Sequence, residues 1–120
     1  YIINASCDKV WDGLTNPKTI EKWSGAKAVM DGKKSTNFKL WNGEVFGKNL
    51  EVIKNKRLVQ EWTSGNWEKP STVVFNLKQL NGRTEIELVH TDVPDEEVKD
   101  IENGWKDYYM NPLKELVEKD

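Results

Sequence analysis

The chain has 120 residues, enough to bury an apolar core without disulfides or metals, and we expect one domain over residues 1–120. Its formal net charge of −2 is too balanced to indicate nucleic-acid binding. No apolar run approaches the roughly 20 residues that a membrane span needs, and no signal peptide is visible, so we expect no membrane partner.

A first strand and two short helices are predicted at the start of the chain. Residues 1–4 alternate weakly and indicate the end of a strand, and Ser6 is an N-cap residue for the first helix. Asn16 followed by Pro17 is typical of a second helix start, and Gly25 follows the end of that helix. We expect the two helices to form a V with these residues on their buried side: Val10, Trp11, Leu14, Ile20 and Trp23.

From residue 26 onward the apolar residues alternate with a period of two, which predicts β-strands. Asn42-Gly43 and Asn81-Gly82 are strong signals for two-residue hairpin turns, so neighbouring strands should be antiparallel. Glu85 and Glu87 share one strand face, which indicates that one face of the sheet is exposed to water. The predicted strands cover residues 26–30, 37–41, 44–53, 57–63, 71–79 and 83–91.

The last stretch, residues 94–120, predicts one long amphipathic helix. Its stripe residues recur at steps of three and four: Val98, Ile101, Trp105, Tyr108, Tyr109, Pro112, Leu113, Leu116 and Val117. We expect Trp105 to be fully buried against the sheet. Gly104 lowers helix stability, which suggests that something approaches the backbone closely there. Pro112 disfavours helical geometry at Asn111, so we expect a kink there and a last turn to about Glu118.

These elements predict an α+β fold of the helix-grip type, in which a curved antiparallel sheet wraps around the long C-terminal helix. A curved sheet and a straight helix do not fit everywhere, so a cavity for an apolar or aromatic ligand can remain between them. The alternative, that the large side chains simply fill this space, stays equally open. The candidate lining residues are Trp23, Phe38, Phe46, Trp62, Phe75, Leu88, His90, Trp105, Tyr108 and Tyr109.

Catalytic chemistry is only weakly indicated. The chain has no nucleotide-binding, zinc-protease or nucleophile-elbow motif, and one histidine with one cysteine argues against a zinc site. His90 continues the inward alternation of the last strand, where a structural histidine is more frequent than a catalytic base. We therefore expect no catalytic residues, no metal and no cofactor. The single Cys7 cannot form an internal disulfide, which is typical of a reducing cytoplasm.

Charge is unevenly distributed, with a net of −5 from Pro94 onward and +3 in the remainder. A basic body and an acidic helix can form a docking surface for a charged protein, although solvated faces explain the same pattern. Trp67 lies between turn-forming residues, where it is either an exposed binding residue or folded back over the sheet end. The candidate partner-binding residues are Lys33, Lys34, Lys54, Lys56, Arg57 and Trp67. We expect a monomer.

Three segments cover the start, middle and end of the chain: VWDGLTNPKTIEKW, NGEVFGKNLEVIKNKRLVQEW and GWKDYYMNPLKELV. They resemble the START-like (Bet v 1-like) superfamily. Within it, they resemble most the C-terminal domain of activators of the Hsp90 ATPase. The resemblance extends over nearly the whole chain and implies the same helix-grip fold.

The resemblance also implies a function. It points to a non-enzymatic, co-chaperone-type domain that binds an Hsp90 chaperone and stimulates its ATPase, as part of a stress response. In two-domain activators this domain contacts the N-terminal region of the chaperone. The chain matches that domain alone, so it is either a fragment of a longer protein, as its start at Tyr1 suggests, or a stand-alone relative.

One alternative function is a stand-alone module that binds a small hydrophobic ligand, a lipid or an aromatic metabolite, between sheet and helix. Some relatives in the superfamily are cyclases or hydrolases, so an activity of that kind in the pocket is a minor alternative.

Overall fold

A six-stranded antiparallel sheet, in the order β1-β6-β5-β4-β3-β2, forms the body of the molecule. The computed structural model describes residues 1–64 and 69–119. The strands are β1 (Ile2–Ile3), β2 (Asn37–Leu40), β3 (Val45–Ile53), β4 (Arg57–Ser64), β5 (Ser71–Gln79) and β6 (Thr84–Thr91). The helices are α1 (Cys7–Thr15), α2 (Pro17–Ser24), α3 (Val98–Gly104) and α4 (Asn111–Glu118), with a π-helical segment (Trp105–Met110) joining the last two.

This architecture confirms the predicted α+β helix-grip fold. One strand prediction was wrong: residues 26–30 form no strand, and only Val29 makes an isolated bridge to Lys39 of β2. The strand predicted within residues 1–4 is confirmed as the short β1, which completes the six-stranded sheet by pairing with β6 through Ile2 opposite Glu85.

The two short helices begin and end where their sequence signals lie. Ser6 accepts a hydrogen bond from the Lys9 backbone N–H at 3.4 Å, and Asn16 Oδ1 accepts one from the Lys18 N–H at 3.0 Å. Gly25 ends α2 in the left-handed conformation, with φ of 71°. The V of α1 and α2 then packs against α4.

The C-terminal helix is built differently from the prediction. Asn111 keeps helical dihedral angles (φ −65°, ψ −47°), the irregularity near it is a π-helical segment that ends at Met110, and the last turns continue to Glu118 as predicted. The Asn111 backbone N–H donates to the carbonyl of Lys106, five residues back, and this widened pattern ends directly before Pro112. Proline lacks the N–H of an i→i−4 bond, and a π turn is one way for a helix to accommodate that gap.

The core lies between the inner face of the sheet and the helices. Trp105 is buried, as expected, and its ring centroid lies 4.7 Å from Trp62 and 4.8 Å from Tyr109. Tyr109 in turn lies 4.6 Å from Trp23. Each such aromatic pair contributes about 0.5–1.5 kcal/mol beyond its buried area, so this ring cluster fixes the helix on the sheet. No helix in the described residues is long and apolar enough to cross a membrane.

Candidate functional site

An open groove of about 340 Å³ lies where the C-terminal helix passes the start of β3 and the end of β4. Its walls are almost entirely apolar. The lining residues are Trp41, Glu44, Val45, Trp62, Asp100, Ile101, Gly104, Trp105, Tyr108 and Tyr109. The groove therefore collects residues from the β2–β3 connection, two strands and two segments of the helix.

The sheet-side wall contains a strained residue. Trp41 begins a short 3₁₀ turn (Trp41–Gly43) between β2 and β3, and its φ of 48° lies in the left-handed region. This conformation costs a bulky side chain about 1–3 kcal/mol and persists only where its surroundings fix it. Here the Trp41 ring packs edge-on against Trp23 and Tyr109, at 6.1 and 6.0 Å.

The helix-side wall contains the other unusual backbone feature, the π-helical segment, which carries Trp105, Tyr108 and Tyr109. Segments of this kind occur frequently at functional sites. Gly104 lies one residue before it, and outside its own helix and chain neighbours no described heavy atom comes within 4 Å of the place where a Cβ would be. No other described part of this chain packs closely on Gly104, and its missing side chain widens the groove. Tyr108 stands at the rim with 69 % of its surface exposed.

The indole of Trp62, which lines the groove, is anchored by a series of side-chain hydrogen bonds inside the core. Its Nε1–H donates to Gln60 Oε1 at 2.7 Å, and Gln60 Nε2 donates to Asn49 Oδ1 at 2.9 Å. Both amides are fully buried. Asn49 Nδ2 donates further to Thr36 Oγ1 at 3.1 Å. A satisfied buried network of this kind holds the ring in one orientation.

His90 lies behind Trp105, one layer away from the groove. The Trp105 Nε1–H donates to His90 Nδ1 at 3.0 Å, and His90 Nε2 lies 2.7 Å from Ser71 Oγ. Because an indole nitrogen only donates, Nδ1 accepts, and the ring proton of a neutral His90 lies on Nε2 and points at Ser71. Burial lowers the pKa of His90 to about 4, which keeps it neutral near pH 7.

This geometry does not activate Ser71 as a nucleophile. A general base would need a free Nε2 lone pair towards the hydroxyl, whereas this Nε2 carries the proton. Ser71 Oγ donates to the Trp62 backbone carbonyl at 3.2 Å, and the residue is fully buried. Ser71 therefore connects β4, β5 and β6. No group of three or more His, Cys, Asp or Glu side chains in the described part of the chain could hold a metal.

The structure gathers four of the ten candidate lining residues in the groove: Trp62, Trp105, Tyr108 and Tyr109. Phe38 and Phe75 are fully buried core residues, and Leu88 packs partly buried against the same core. Trp23 supports the groove from behind through its contacts with Trp41 and Tyr109. These residues, with His90, fill space instead of lining it.

Phe46 was assigned to the wrong face. It is 43 % exposed and lies on the outer side of the sheet, because Val45 and Gly47 point inward at this end of β3. A β-bulge between Asn49 and Glu51 shifts the alternation, so that Val52 faces inward again further along. Gly47 is required on the inner face, since a Cβ there would overlap the Glu61 carbonyl oxygen of β4.

Sequence reasoning missed six of the lining residues: Trp41, Glu44, Val45, Asp100, Ile101 and Gly104. Ile101 was on the predicted helical stripe, one turn before Trp105, and this spacing could have placed it and its neighbour Asp100 beside the groove. Trp41 directly precedes the Asn42-Gly43 turn signal, but nothing in the pattern shows that its own backbone is left-handed.

The candidate partner-binding residues lie elsewhere. Lys33 and Lys34 are exposed in the loop before β2, and Lys54 and Lys56 are exposed in the β3–β4 turn. Arg57 is engaged, with Nε 3.3 Å from Glu51 Oε1 and Nη1 donating to Asn76 Oδ1 at 2.8 Å. Trp67 lies outside the described residues.

Two ends of the sheet can now be distinguished. The groove end contains the start of β3 and the end of β4; the turn end contains the β3–β4 turn (residues 54–56) and the start of α1, where Asn55 Nδ2 donates to Asp8 Oδ1 at 2.6 Å. The eight residue steps of β3 place these ends about 25 Å apart. The groove and the basic turn are therefore separate surfaces.

Comparison with known proteins identifies relatives of this chain. The family model for "Activator of Hsp90 ATPase homolog 1-like protein" matches residues 4–118. An uncharacterized protein of Schizosaccharomyces pombe is 27 % identical over 95 % of the chain, which covers 34 % of that protein. The mouse activator of 90 kDa heat shock protein ATPase homolog 2 is 23 % identical over 98 % of the chain, which covers 36 % of it. The chain thus spans about a third of the length of these relatives.

A solved structure shares the fold. The crystal structure of an HSP90 activator from Plasmodium falciparum superimposes with a TM-score of 0.87 at 20 % identity, covering 97 % of this chain and 91 % of that one. At this identity the likeness supports the fold, and it agrees with the helix-grip arrangement described above.

Proposed function

We propose that this chain, which belongs to the family of Activator of Hsp90 ATPase homolog 1-like proteins, is a co-chaperone-type domain that binds an Hsp90 chaperone and stimulates its ATPase. The observation that carries the proposal is the family match over residues 4–118, together with relatives named as activators of that ATPase. The domain acts without chemistry of its own, and it does so in the cytoplasm as a monomer.

Two features of the molecule support binding to a protein. Tyr108 exposes 69 % of its surface beside a groove that already contains Trp41 and Trp105. Tryptophan and tyrosine are enriched among the residues that dominate binding energies at protein interfaces. The exposed lysines of the turn end add charge, which mainly increases association rates and makes them sensitive to salt.

The absence of catalysis is part of the proposal, and the His90–Ser71 pair supports it. That pair is the strongest catalytic candidate in the described residues, and its tautomer and burial oppose nucleophilic attack. A hydrolase assay with small ester substrates tests this point. Turnover that disappears in Ser71→Ala while the fold is retained would contradict it.

The direct test is the ATP turnover of the Hsp90 from the same source, measured with and without the chain at low and at moderate salt. We expect stimulation that weakens as salt rises. The double variant Lys54→Glu/Lys56→Glu should reduce it, and Lys18→Glu, an equally exposed lysine on α2, serves as the matched control. Trp67→Ala tests the remaining partner candidate.

The outcome that contradicts the proposal is defined by affinity. If no stimulation occurs and no complex forms at about 100 μM, the interaction is worth less than about 5.5 kcal/mol. A co-chaperone role for this chain would then be abandoned.

A second function is favoured by the groove itself. Its volume of about 340 Å³ and its apolar walls match the range of small-molecule sites, roughly 300–1,000 Å³. A panel of fatty acids, flavonoids and sterols, titrated while the indole N–H resonances of Trp41, Trp62 and Trp105 are followed, tests this alternative. If none of these resonances moves, a hydrophobic small-molecule ligand loses its support.

A further inference from the structure

The charged residues that line the groove are both acidic. Among its described lining residues, Glu44 and Asp100 are the two that carry charge, and both are exposed acids. Asp100 follows the acidic 3₁₀ turn Asp95–Glu97 that leads into α3. A group in this groove therefore contacts mostly apolar walls beside two exposed carboxylates. That combination favours an apolar group attached to a cation and disfavours a carboxylated one.

The shape of the groove favours a protein side chain over a free small molecule. Small-molecule sites usually enclose most of the ligand surface, whereas this groove is open and its rim residue Tyr108 is 69 % exposed. An occupant confined to the groove would leave the Tyr108 ring in water. A partner surface that inserts one side chain and rests on the rim would cover it.

We propose that the groove binds an apolar or aromatic side chain of a partner protein that is flanked in its own sequence by lysine or arginine. This inference rests on the proposed partner-binding function and specifies its chemistry. The inserted side chain packs against the lining residues Trp41, Val45 and Trp105. The flanking cations face Glu44 and Asp100, and Tyr108 offers a ring face for a cation–π contact.

Gly104 gives the inference a clean test, because it is open to the groove and lies in a helix. A leucine there would project into the groove without a described atom within 4 Å of its Cβ. It would also replace a poor helix former by a good one. Gly104→Leu should therefore raise or preserve the thermal stability and at the same time fill the site. Gly104→Ala is the matched control, with the same helix benefit and little added volume.

The probes are short peptides with one central side chain: acetyl-Lys-Lys-Phe-Lys-Lys-amide, its counterparts with Glu or Ser in place of Lys, and a version with Ala in place of Phe. Binding is followed through the indole N–H resonances of Trp41, Trp62 and Trp105. We expect the Lys–Phe peptide to bind about tenfold more tightly than the Ser–Phe peptide. The Glu–Phe and Lys–Ala peptides should leave these resonances in place.

The variants separate the contributions. Glu44→Gln/Asp100→Asn should bring the Lys–Phe and Ser–Phe peptides to within about threefold of each other. Gly104→Leu should weaken both about tenfold or more, and Gly104→Ala should have little effect. Three results would overturn the inference: the Glu–Phe peptide binds as tightly as the Lys–Phe peptide, Gly104→Leu binds the Lys–Phe peptide as tightly as the wild type, or no peptide shifts the resonances at about 5 mM. So would shifts caused by phenethylammonium alone, without peptide binding, because the occupant would then be a small molecule.

The chaperone assay distinguishes this inference from the function on which it rests. If the chain stimulates the ATPase and Gly104→Leu leaves stimulation unchanged, the co-chaperone proposal stands and the groove inference falls. If the Lys–Phe peptide binds in the groove but no chaperone complex forms, the groove inference stands and its partner is another protein.

Discussion

The two ends of the sheet are built on different principles. At the turn end, polar side chains pair across elements, as in the ion pair of Arg57 with Glu51 and the hydrogen bond of Asn55 Nδ2 to Asp8, while the buried Asn55 Oδ1 has no hydrogen-bond partner among the described residues. At the groove end, aromatic rings from α2, the β2–β3 connection, β4 and the C-terminal helix meet, beside a left-handed Trp41 and a π-helical segment. Left-handed non-glycine residues occur at both ends, Asn55 at the turn end and Trp41 at the groove end. The two ends therefore differ in their packing, and we expect the aromatic cluster to make the groove end the larger contributor to stability.

The largest effect should come from Trp105, which links the helix to the sheet. Trp105→Ala removes a buried ring that contacts Trp62, Phe75 and Tyr109, and we expect the free energy of unfolding to fall by about 3–5 kcal/mol. Urea denaturation followed by circular dichroism measures this change. A loss below about 1 kcal/mol would show that the groove end does not carry the stability assigned to it.

Acidification should produce the next largest effect, through His90. Its pKa is lowered from 6.5 to about 4 in the folded protein by burial, so the unfolded chain takes up the proton first as pH falls. Stability supported by neutral His90 is therefore complete above pH 6.5 and declines as pH falls from 6.5 towards 4. At pH 4.5 the loss is at most about 2–3 kcal/mol.

The measurement compares the wild type with His90→Gln, since carboxyl groups also titrate in this range. The free energy of unfolding at pH 7 minus that at pH 4.5 should be larger in the wild type, by less than the upper bound given above because His90 is partly exposed to solvent. Equal pH dependence in the two proteins would mean that protonation of His90 does not oppose folding and that its hydrogen bond from Trp105 matters little.

The smallest effect is expected at the turn end. Lys54→Ala and Lys56→Ala change exposed side chains, and each should alter the free energy of unfolding by less than about 0.5 kcal/mol. Thermal unfolding of the two variants beside Trp105→Ala tests the contrast directly. A loss of more than 1 kcal/mol at either lysine would mean that both ends of the sheet contribute strongly to the free energy of unfolding, which contradicts the proposed difference between them.

The sequence predicted elements whose signals are local. Neighbouring residues alone were enough to predict the caps at Ser6 and Asn16 and the hairpin at Asn81-Gly82. The helical spacing of three and four residues was enough to predict the stripe that buries Trp105. The predicted orientation of Phe46 was wrong because a single bulge at Asn49–Glu51 changes which residues of β3 face inward. The position of this bulge is set by the pairing of β3 with β4. Strand alternation alone cannot reveal it.

The groove depends on information of a different kind. Tyr108 and Trp105 could be found on one helix, but Trp41 joins the lining from the β2–β3 turn, where its backbone is left-handed. Glu44 and Asp100 are separated by 56 residues and meet through the tertiary fold. The space beside Gly104 is visible only once every neighbour has been placed. The aromatic content predicted a cluster of rings, whereas the tertiary fold determines where a groove remains between them.

The pairing of β1 with β6 has a consequence for how the chain acquires its fold. Ile2 lies opposite Glu85, and the Asn4 backbone N–H donates to Glu118 Oε2 at 2.8 Å across a sequence separation of 114 residues. A nascent chain leaving the ribosome therefore exposes its first strand long before either partner is synthesised. Contacts between residues so far apart in sequence form slowly. β1 and α1 can complete the sheet edge and the core only after α4 has been synthesised. Completion of this fold is thus a late event in the synthesis of these residues, because it requires α4.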